Sequence, residues 1–231
     1  MIDCAVWWAT PLATSGEFLA LLNPAERERL HAYRREADQR RFLTGRVLAR
    51  TLAGQRLGVD PAAVELDATC ADCGRQHGPP RVPGAPLALS ISHSGDRIAV
   101  ALTGGTAVGI DVETVNRRAD DSLISYALSD AERAAIAGLP DDERAEAFFT
   151  YWARKEAVMK ATGRGLRISL RGLTLSAAGE PPRLLAAADG ELSPEATSMA
   201  DLTPGEEYRA TVAVLSGAGL TVTEQWWPPR S

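Results

Sequence analysis

Lysine is almost absent from this sequence. Of the 25 basic side chains only Lys155 and Lys160 are lysines, and all the others are arginines. An ammonium group is a compact, titratable point charge whereas a guanidinium is a planar fork, so a site can require one and reject the other. The two lysines therefore indicate a functional position in the stretch Phe148–Leu166. The alternative is a surface pair between Glu156 and Lys160, which would contribute only about 0.2–0.5 kcal/mol.

Cysteines and long apolar runs are scarce as well. The three cysteines leave at least one thiol unpaired, which is typical of a reducing compartment. No apolar run approaches the ~20 residues of a membrane span, and the first residues lack a basic segment followed by an apolar one. We therefore expect a cytoplasmic protein with no membrane association. A net charge of −5 argues against general binding of nucleic acids.

The order of the predicted elements indicates an α+β fold, in a chain long enough for a sizeable core. Helices are expected at Pro24–Leu57, at Ser129–Gly138 and from Asp141 to Gly163. Strands are expected at Ile2–Thr10, Leu87–Ser92, Ile98–Leu102, Ala107–Glu113, Leu170–Ser176, Tyr208–Ser216 and Leu220–Trp227. The turn-rich stretches Asp67–Pro86 and Ala178–Gly205 are interpreted as connectors. This order suggests two similar α+β halves, residues 1–105 and 106–231.

Two carboxylates lie on the strand predicted at Ala107–Glu113. Because side chains alternate along a strand, Asp111 and Glu113 share one face. Gly109 next to them would let a ligand come close, and the pair makes half of a site for a hard cation. The alternative interpretation is an edge strand with acidic side chains facing water.

The helix that ends near Gly163 carries a third carboxylate. Phe148, Trp152, Lys155 and Met159 recur at helical spacing and form a stripe on one face of this helix. Glu156 and Lys160 lie one and two turns beyond Trp152, at the edge of that stripe. Three carboxylates without clustered cysteine or histidine favour Mg²⁺, whose coordination is completed by substrate phosphates. The lysines, together with His93 in a predicted turn, suggest that those phosphates form a pyrophosphate or a longer chain.

Two further segments leave alternatives open. Pro24–Leu57 carries nine arginines against four acidic residues, so it is either a solvated helix face or an anion site for a polyphosphate ligand. Cys70-x2-Cys73 with His77 fits part of a zinc site, but a structural zinc takes four ligands and the sequence has no second pair. Reduced cysteines in a loop are therefore expected.

Three motifs carry a resemblance to a known family. Residues 109–113 (GIDVE) and 152–160 (WARKEAVMK) resemble the paired signatures of the 4′-phosphopantetheinyl transferases. Residues 90–94 (SISHS) match the third motif of the larger, surfactin-synthetase-activating type, and the order and spacing of all three agree with that type. The resemblance covers roughly residues 20–170. It implies a monomer of two α+β halves related by a pseudo-twofold axis, each with a small, mostly antiparallel sheet packed on helices.

The resemblance also implies an activity. A holo-[acyl-carrier-protein] synthase of this family transfers 4′-phosphopantetheine from coenzyme A to a serine of an apo carrier protein or carrier domain of a fatty acid, polyketide or nonribosomal peptide synthase. By the match, Asp111, Glu113 and Glu156 would hold Mg²⁺, and Glu156 would deprotonate the carrier serine directly or through water. Lys160 would neutralise the departing adenosine bisphosphate. Ser92 and His93 would contact the phosphates.

The residues that would contact the nucleotide part of coenzyme A match the family's pattern only in part. Arg41 matches a commonly basic position, Arg29 and Arg27 are the nearest further candidates, and Lys155 is a weaker one. Glu26 stands where a lysine is common in the family. The loop that usually reads Gly-Lys-Pro is Gly78-Pro79-Pro80-Arg81 here, so Arg81 or Arg75 is expected to replace the missing lysine.

Three other functions would use some of the same residues or ligands. A serine hydrolase using Ser94 and His93 is disfavoured, because adjacent residues point to opposite faces of a strand and no nucleophile elbow is present. A Mg²⁺-dependent phosphodiesterase or nucleotidyl enzyme with the same carboxylates would cleave its ligand without a protein acceptor. A non-catalytic scaffold would bind coenzyme A or a carrier domain without turnover, but it would not need a third carboxylate.

Overall fold

The computed structural model describes residues 1–70, 72–116, 119–188 and 190–228, with residue 166 described by its backbone only. The α-helices are α1 (Gly16–Ala20), α2 (Pro24–Ala32), α3 (Glu36–Leu57), α4 (Asp121–Ala127), α5 (Asp130–Ile136) and α6 (Asp141–Thr162). The strands are β1 (Ile2–Ala9), β2 (Asp67–Thr69), β3 (Gln76–Arg81), β4 (Ala88–Ser94), β5 (Arg97–Thr103), β6 (Val108–Thr114), β7 (Leu173–Leu175), β8 (Leu184–Ala187), β9 (Ser198–Leu202), β10 (Tyr208–Val214) and β11 (Leu220–Trp226).

The strands form small sheets that are mostly antiparallel. One sheet has the order β11-β1-β5-β4 and a second has the order β6-β10-β9, while β2-β3 and β7-β8 form separate pairs. Only β11 and β1 run parallel among these pairs. The predicted α+β fold is confirmed. Among the described residues, no helix combines the length and the apolar character that crossing a membrane requires.

Each of the two larger sheets is covered by one long helix. Leu48 and Leu52 of α3 pack with Ile98 and Val100 of β5, and α6 packs on β6 and β10. Both helices have 22 residues and end at a glycine in the left-handed conformation, which lets the chain turn away. The parallel pairing of β11 with β1 returns the end of the chain to the first sheet. The boundary near residue 105 stays a prediction.

The helix predicted at Pro24–Leu57 is in fact two helices. The backbone is extended at Tyr33 and Arg35, so α2 ends before the break and α3 begins after it. At the start of α2, Asn23 and Glu26 form a reciprocal capping box. The break changes the direction of the chain, and local helix propensity gives no signal for it.

Two predicted connectors contain strands. Asp67–Pro86 includes the β2-β3 hairpin, and Ala178–Gly205 includes β8 and β9. These strands are only three to six residues long, so their pairing partners specify them more than their own sequences do. Strand β4 also continues through Ser94, so the turn lies at Gly95 rather than at His93, and Gly95 has a φ of 56°.

Candidate functional site

The candidate site lies where the two larger sheets meet, between β4 and β6. Strand β6 pairs with β10 on one side, and on the other side its N–H groups meet serine side chains of β4. The hydroxyls of Ser90, Ser92 and Ser94 accept hydrogen bonds from the backbone N–H groups of Ile110, Val112 and Thr114 at 3.1, 3.3 and 3.2 Å. We call these three residues the serine seam. These bonds fix the register of β4 against β6, because a shift by one residue would break all three of them.

The serine seam also holds the two strand carboxylates. The hydroxyl of Ser92 donates to Oδ1 of Asp111 at 2.8 Å, and the hydroxyl of Ser94 donates to Oε2 of Glu113 at 2.9 Å. Asp111 is only 4% exposed. The two carboxylates face the same side of β6, as the alternation of side chains predicted.

Lys160 lies directly over Asp111. Its ammonium group donates to Oδ1 of Asp111 at 2.6 Å, to the hydroxyl of Ser92 at 2.9 Å and to the backbone oxygen of Ile110 at 3.1 Å. All three donors of the ammonium are therefore engaged. Lys160 acts in this arrangement through its charge and by fixing the orientation of the Asp111 carboxylate.

The site also offers carboxylate oxygens that could bind a hard cation. Oδ2 of Asp111 is buried and has no hydrogen-bond partner among the described residues. Burial and the charge of Asp111 raise the pKa of Glu156, and the charge of Lys160 partly offsets this increase. Glu113, Glu156 and Asp111 line one cavity of about 320 Å³. A divalent cation would supply the missing partner and relieve the repulsion, so these residues fit Mg²⁺.

Gly109 brings α6 close to β6. A Cβ atom at this position would lie 2.0 Å from the backbone oxygen of Ala157 and 2.4 Å from the backbone nitrogen of Ala161. The expectation that Gly109 makes room for a ligand is wrong, because the backbone of α6 fills that space. Close packing of the helix on the strand sets Glu156 and Lys160 beside Asp111.

Lys155 does not face the site. Its ammonium group is completely buried and donates to the backbone oxygens of Ala127, Leu170 and Leu173 at 2.8, 2.9 and 2.8 Å. It also pairs with buried Glu132 at 2.5 Å. The expectation that Lys155 contacts the nucleotide is therefore corrected: this lysine joins α6 to α4, to α5 and to the segment from Leu170 to the start of β7.

A larger cleft of about 730 Å³ adjoins the carboxylates. It shares Ile91, His93, Glu156 and Lys160 with the smaller cavity. Its walls come from α2, α3, the β2-β3 hairpin, β4 and the end of α6. Its cationic side chains are those of Lys160 and of five arginines: Arg29, Arg41, Arg46, Arg164 and Arg167. A cleft with basic walls next to a cation site is suited to a ligand that carries phosphates at several positions.

The sequence-predicted ligand contacts occupy different parts of this site. Arg29 and Arg41 line the large cleft, and Nε of Arg41 donates to the backbone oxygen of Gly95 at 2.6 Å. His93 lies in both cavities, and its pKa is lowered because the surrounding protein displaces water and because Lys160 and Arg41 repel its charged form. Ser92 lines only the smaller cavity, where it contacts Asp111 rather than the nucleotide side.

Arg46 is a site residue that the sequence reasoning missed. It is 7% exposed and lines the cleft, and its Nη1 atom is buried without a partner among the described residues. Its guanidinium lies 5.2 Å from the ring centre of Phe42. Glu26, which stands where the family commonly has a lysine, is buried between Arg46 and Arg50 and forms two hydrogen bonds with Arg50, of 2.7 and 3.1 Å. Glu26 therefore positions arginines instead of meeting the ligand.

The loop at residues 78–81, where the family usually has Gly-Lys-Pro, contributes no basic side chain to the described lining of the cleft. Arg81 and Arg75 are absent from the cleft lining, although Gly78, Pro79 and Pro80 belong to it. Arg81 pairs with Asp67 at 3.5 Å, and its side chain is 64% exposed. The expectation that Arg81 or Arg75 replaces the lysine stays a prediction. Arg164 and Arg167, which follow α6, line the cleft and pair with Glu191 and Asp72.

Family models match most of the chain. A family model described as the 4′-phosphopantetheinyl transferase superfamily matches residues 107–213, which include β6 and α6. A second model, described as 4′-phosphopantetheinyl transferase, N-terminal, matches residues 7–104. Together the two models account for most of the chain, and they meet at the β5-β6 connection.

Individual relatives point the same way. The 4′-phosphopantetheinyl transferase HetI of Nostoc sp. strain PCC 7120 is 29% identical over 229 residues, which cover 95% of this chain and 90% of that protein. The 4′-phosphopantetheinyl transferase Sfp of Bacillus subtilis strain 168 is 26% identical over 66% of this chain and 65% of its own length. The crystal structure of holo-[acyl-carrier-protein] synthase from Thermotoga maritima aligns with a TM-score of 0.41 and 23% identity, over 49% of this chain and 64% of that one. The two family models, together with the Nostoc and Bacillus relatives, establish that the chain belongs to the 4′-phosphopantetheinyl transferase superfamily.

Proposed function

We propose that the cleft binds coenzyme A and that the adjoining carboxylates support transfer of its 4′-phosphopantetheine group to a carrier serine, with Mg²⁺ bound. The observation that carries the proposal is the junction of the two cavities at Glu156 and Lys160. A nucleotide in the large cleft would extend its pyrophosphate toward the orphaned Oδ2 of Asp111. The carrier serine would approach from the smaller cavity.

The bonds that change are those at the β-phosphorus of coenzyme A. The serine oxygen forms a bond to this phosphorus, and the bond to the bridging oxygen of the pyrophosphate breaks. The products are the phosphopantetheinyl serine and adenosine 3′,5′-bisphosphate. We assign the serine proton to Glu156, which would accept it directly or through a water molecule.

Asp111, Glu113 and Glu156 would hold Mg²⁺. The bound ion would supply charge neutralisation to the pyrophosphate. Lys160 keeps Oδ1 of Asp111 occupied at 2.6 Å, so that Oδ2 is the atom left for the cation. The positive charge of Lys160 also stabilises the negative charge that grows on the leaving bisphosphate.

We assign the phosphates on the nucleotide side to the arginines of the large cleft. Arg41 and Arg46 stand on α3, and Arg29 stands on α2 close to them, with its guanidinium 5.7 Å from the ring centre of Phe42. A phosphate at this end would give the buried Nη1 of Arg46 the partner it lacks. His93, whose pKa is lowered by burial and by the charges of Lys160 and Arg41, would contact the phosphates.

We infer that one chain suffices for the reaction. The walls of the cleft come from both halves of the same chain: Arg41 and His93 from the first, Glu156 and Arg167 from the second. This is the arrangement expected of the surfactin-synthetase-activating type. Light scattering on the active protein tests it, and activity confined to a dimer would contradict it.

The proposed partner is an apo carrier protein, whose helices are generally acidic. Arg34 and Arg35 are exposed at the break between α2 and α3, next to Tyr33 of the cleft wall. We propose that they steer the carrier toward the site. Replacing both with Ser should slow association in a salt-dependent way, and unchanged kinetics at low salt would rule out this role.

The decisive experiment measures the intact mass of a carrier. The purified protein, an apo carrier protein, coenzyme A and Mg²⁺ are mixed, and a gain of one phosphopantetheine group is expected. The gain should disappear with EDTA and in Asp111→Ala and Glu156→Gln. Glu143→Gln, an exposed position on the same helix, should retain it. Adenosine bisphosphate released without modification of the carrier would favour a phosphodiesterase, and coenzyme A binding without any product would favour a scaffold.

A further inference from the structure

A second cluster of metal-ligand side chains lies apart from the carboxylates, on the β2-β3 hairpin. Cys70, Cys73 and His77 each offer one ligand atom, and these atoms all lie within 4.8 Å of one another. Sγ of Cys73 is 2.9 Å from Nε2 of His77. The proposed transferase reaction uses none of these side chains.

The turn between the strands of the hairpin brings the three ligands together. The backbone N–H of Cys70 donates to the oxygen of Arg75 at 2.8 Å, and the N–H of Gly74 donates to the oxygen of Cys70 at 2.9 Å. Gly74 takes a φ of 69°, which a glycine adopts at little cost. These bonds hold Cys70 next to Gly74 and Arg75. The tight turn therefore places both sulfur atoms beside the histidine that follows.

The donor types select the metal. Two thiolates and an imidazole are the ligands that Zn²⁺ prefers, and the two-residue spacing of the cysteines is typical of zinc sites. Mg²⁺ prefers oxygen and would be left to the carboxylates. We infer that Cys70, Cys73 and His77 bind one Zn²⁺ ion, separate from the proposed magnesium site.

The hairpin has little apolar packing of its own. Of the described residues of β2 and β3, Ala68 alone is buried, so apolar packing holds the hairpin weakly. A small element with little core is commonly stabilised by a metal or a disulfide. All three cysteines are free thiols in this structure. A bound Zn²⁺ ion would therefore give the hairpin stability that its apolar packing does not provide.

The position of the hairpin gives the ion a function. Cys70 and His77 line the large cleft, and Gly78, Pro79 and Pro80 continue the same wall. The hairpin is tied to α2 by the bond of 2.8 Å from Arg29 to the oxygen of Gln76. Zn²⁺ would hold this wall in the shape that the nucleotide meets. Among the described residues no fourth side chain joins the cluster, so the fourth position falls to water or to an atom of the ligand.

The first test measures zinc content. The protein is expressed with added Zn²⁺, purified in buffer with excess Mg²⁺ and a reducing agent, and analysed by mass spectrometry for metals. We expect one zinc per chain in the wild type and in His31→Gln, an exposed histidine outside the cluster, and almost none in the Cys70→Ser/Cys73→Ser variant. His77→Gln should lower the zinc affinity by more than the roughly 10- to 100-fold that loss of an outer partner costs. Wild-type protein with little zinc, or a double variant with as much zinc as wild type, would overturn the inference.

Substitution with Co²⁺ identifies the ligands. Co²⁺ bound by two thiolates should give the sulfur-to-metal absorption of a tetrahedral site, and the Cys70→Ser/Cys73→Ser variant should lack it. A reduced wild-type protein whose Co²⁺ spectrum shows only oxygen ligands would contradict the assignment. Zinc content and the Co²⁺ spectrum do not depend on transferase activity. Either result therefore tests the zinc site separately from the proposed function.

Discussion

The hydroxyl of Ser92 donates to Oδ1 of Asp111 at 2.8 Å while it accepts the backbone N–H of Val112 at 3.3 Å. One small side chain therefore serves both the seam between the sheets and the proposed metal ligand. Lys160 binds the same pair of oxygens, at 2.9 and 2.6 Å. The orientation of the Asp111 carboxylate is thus fixed from two sides before any cation arrives.

Ser92→Ala should weaken both functions of this hydroxyl. The buried N–H of Val112 would lose its partner, and we expect a loss of about 1–3 kcal/mol in the free energy of unfolding. Asp111 would lose one of its two anchors, so the variant should need more Mg²⁺ for half-maximal activity. Denaturant unfolding and a Mg²⁺ titration of activity measure the two effects. Ser122→Ala, an exposed serine in α4, serves as the control, and a Ser92→Ala protein with wild-type values in both assays would contradict the role.

Local patterns predicted the parts of the site that lie on single elements. Alternation along β6 placed Asp111 and Glu113 on one face, and the helical stripe placed Glu156 and Lys160 at the edge of the core. Both placements agree with the structure, because each depends only on the period of its own element. The assignment of the three carboxylates to Mg²⁺ stays a prediction.

The parts that were missed depend on packing between elements. The role of Gly109 follows from where α6 lies, and the partners of Lys155 come from three separate segments. Arg46 looked like any other arginine of a basic helix, since its burial is set by Phe42 and Glu26. Distances between residues far apart in sequence cannot be read from the period of either element.

The two lysines of α6 should respond differently to substitution. Lys155→Met removes a buried ammonium and leaves Glu132 without its ion pair, so we expect a loss of about 3–5 kcal/mol in the free energy of unfolding. Lys160→Met removes a lysine whose side chain is 30% exposed. It should destabilise less but lower kcat on the order of 10²-fold. Thermal unfolding and steady-state kinetics separate the two outcomes.

A compensating change tests the Lys155 assignment. Adding Glu132→Gln to Lys155→Met removes the charge left in the core, so part of the lost stability should return. Recovery should be incomplete because Glu132 also accepts the N–H groups of Ser129 and Leu175. A Lys155→Met protein that is as stable as the wild type would show that the buried pair contributes nothing.

Gly109→Ala should separate α6 from β6. The added Cβ would meet backbone atoms of Ala157 and Ala161, which cannot move aside as a flexible side chain can. We expect a loss of about 3 kcal/mol or more in the free energy of unfolding, together with loss of activity as Glu156 and Lys160 shift. Gly138→Ala is the matched control because no atom lies within 4 Å of its added Cβ. Comparable stability of the two variants would argue against close packing at Gly109.

Arg46→Met should weaken the binding of coenzyme A. The buried Nη1 of Arg46 has no hydrogen-bond partner among the described residues, and a phosphate oxygen could supply one. A hydrogen bond to a charged group contributes about 1.5–3 kcal/mol. Calorimetric titration should therefore give a Kd raised roughly 10- to 100-fold. Arg56→Met, at an exposed position in the last turn of α3, should bind normally. If Arg46 holds the 3′-phosphate, the difference from wild type should vanish with dephospho-coenzyme A, and a difference that persists would assign Arg46 to the pyrophosphate.

The cysteines of the metal-free protein should differ in reactivity. Hydrogen bonds from the side chain and backbone of Arg75 and from the ring of His77 lower the pKa of Cys73 to about 6, whereas burial raises the pKa of Cys4 to about 12. Cys73 is therefore mostly thiolate at pH 7, and thiolates are the reactive form. After removal of metals with a chelator, the rate of alkylation at Cys73 should rise to about pH 6 and then level off, while a thiol of ordinary pKa near 9 would keep gaining rate up to that pH. Peptide mapping after iodoacetamide treatment gives the rates. Cys4 should stay unmodified until the protein unfolds, and a rate at Cys73 that still climbs steeply between pH 7 and pH 9 would contradict the lowered pKa.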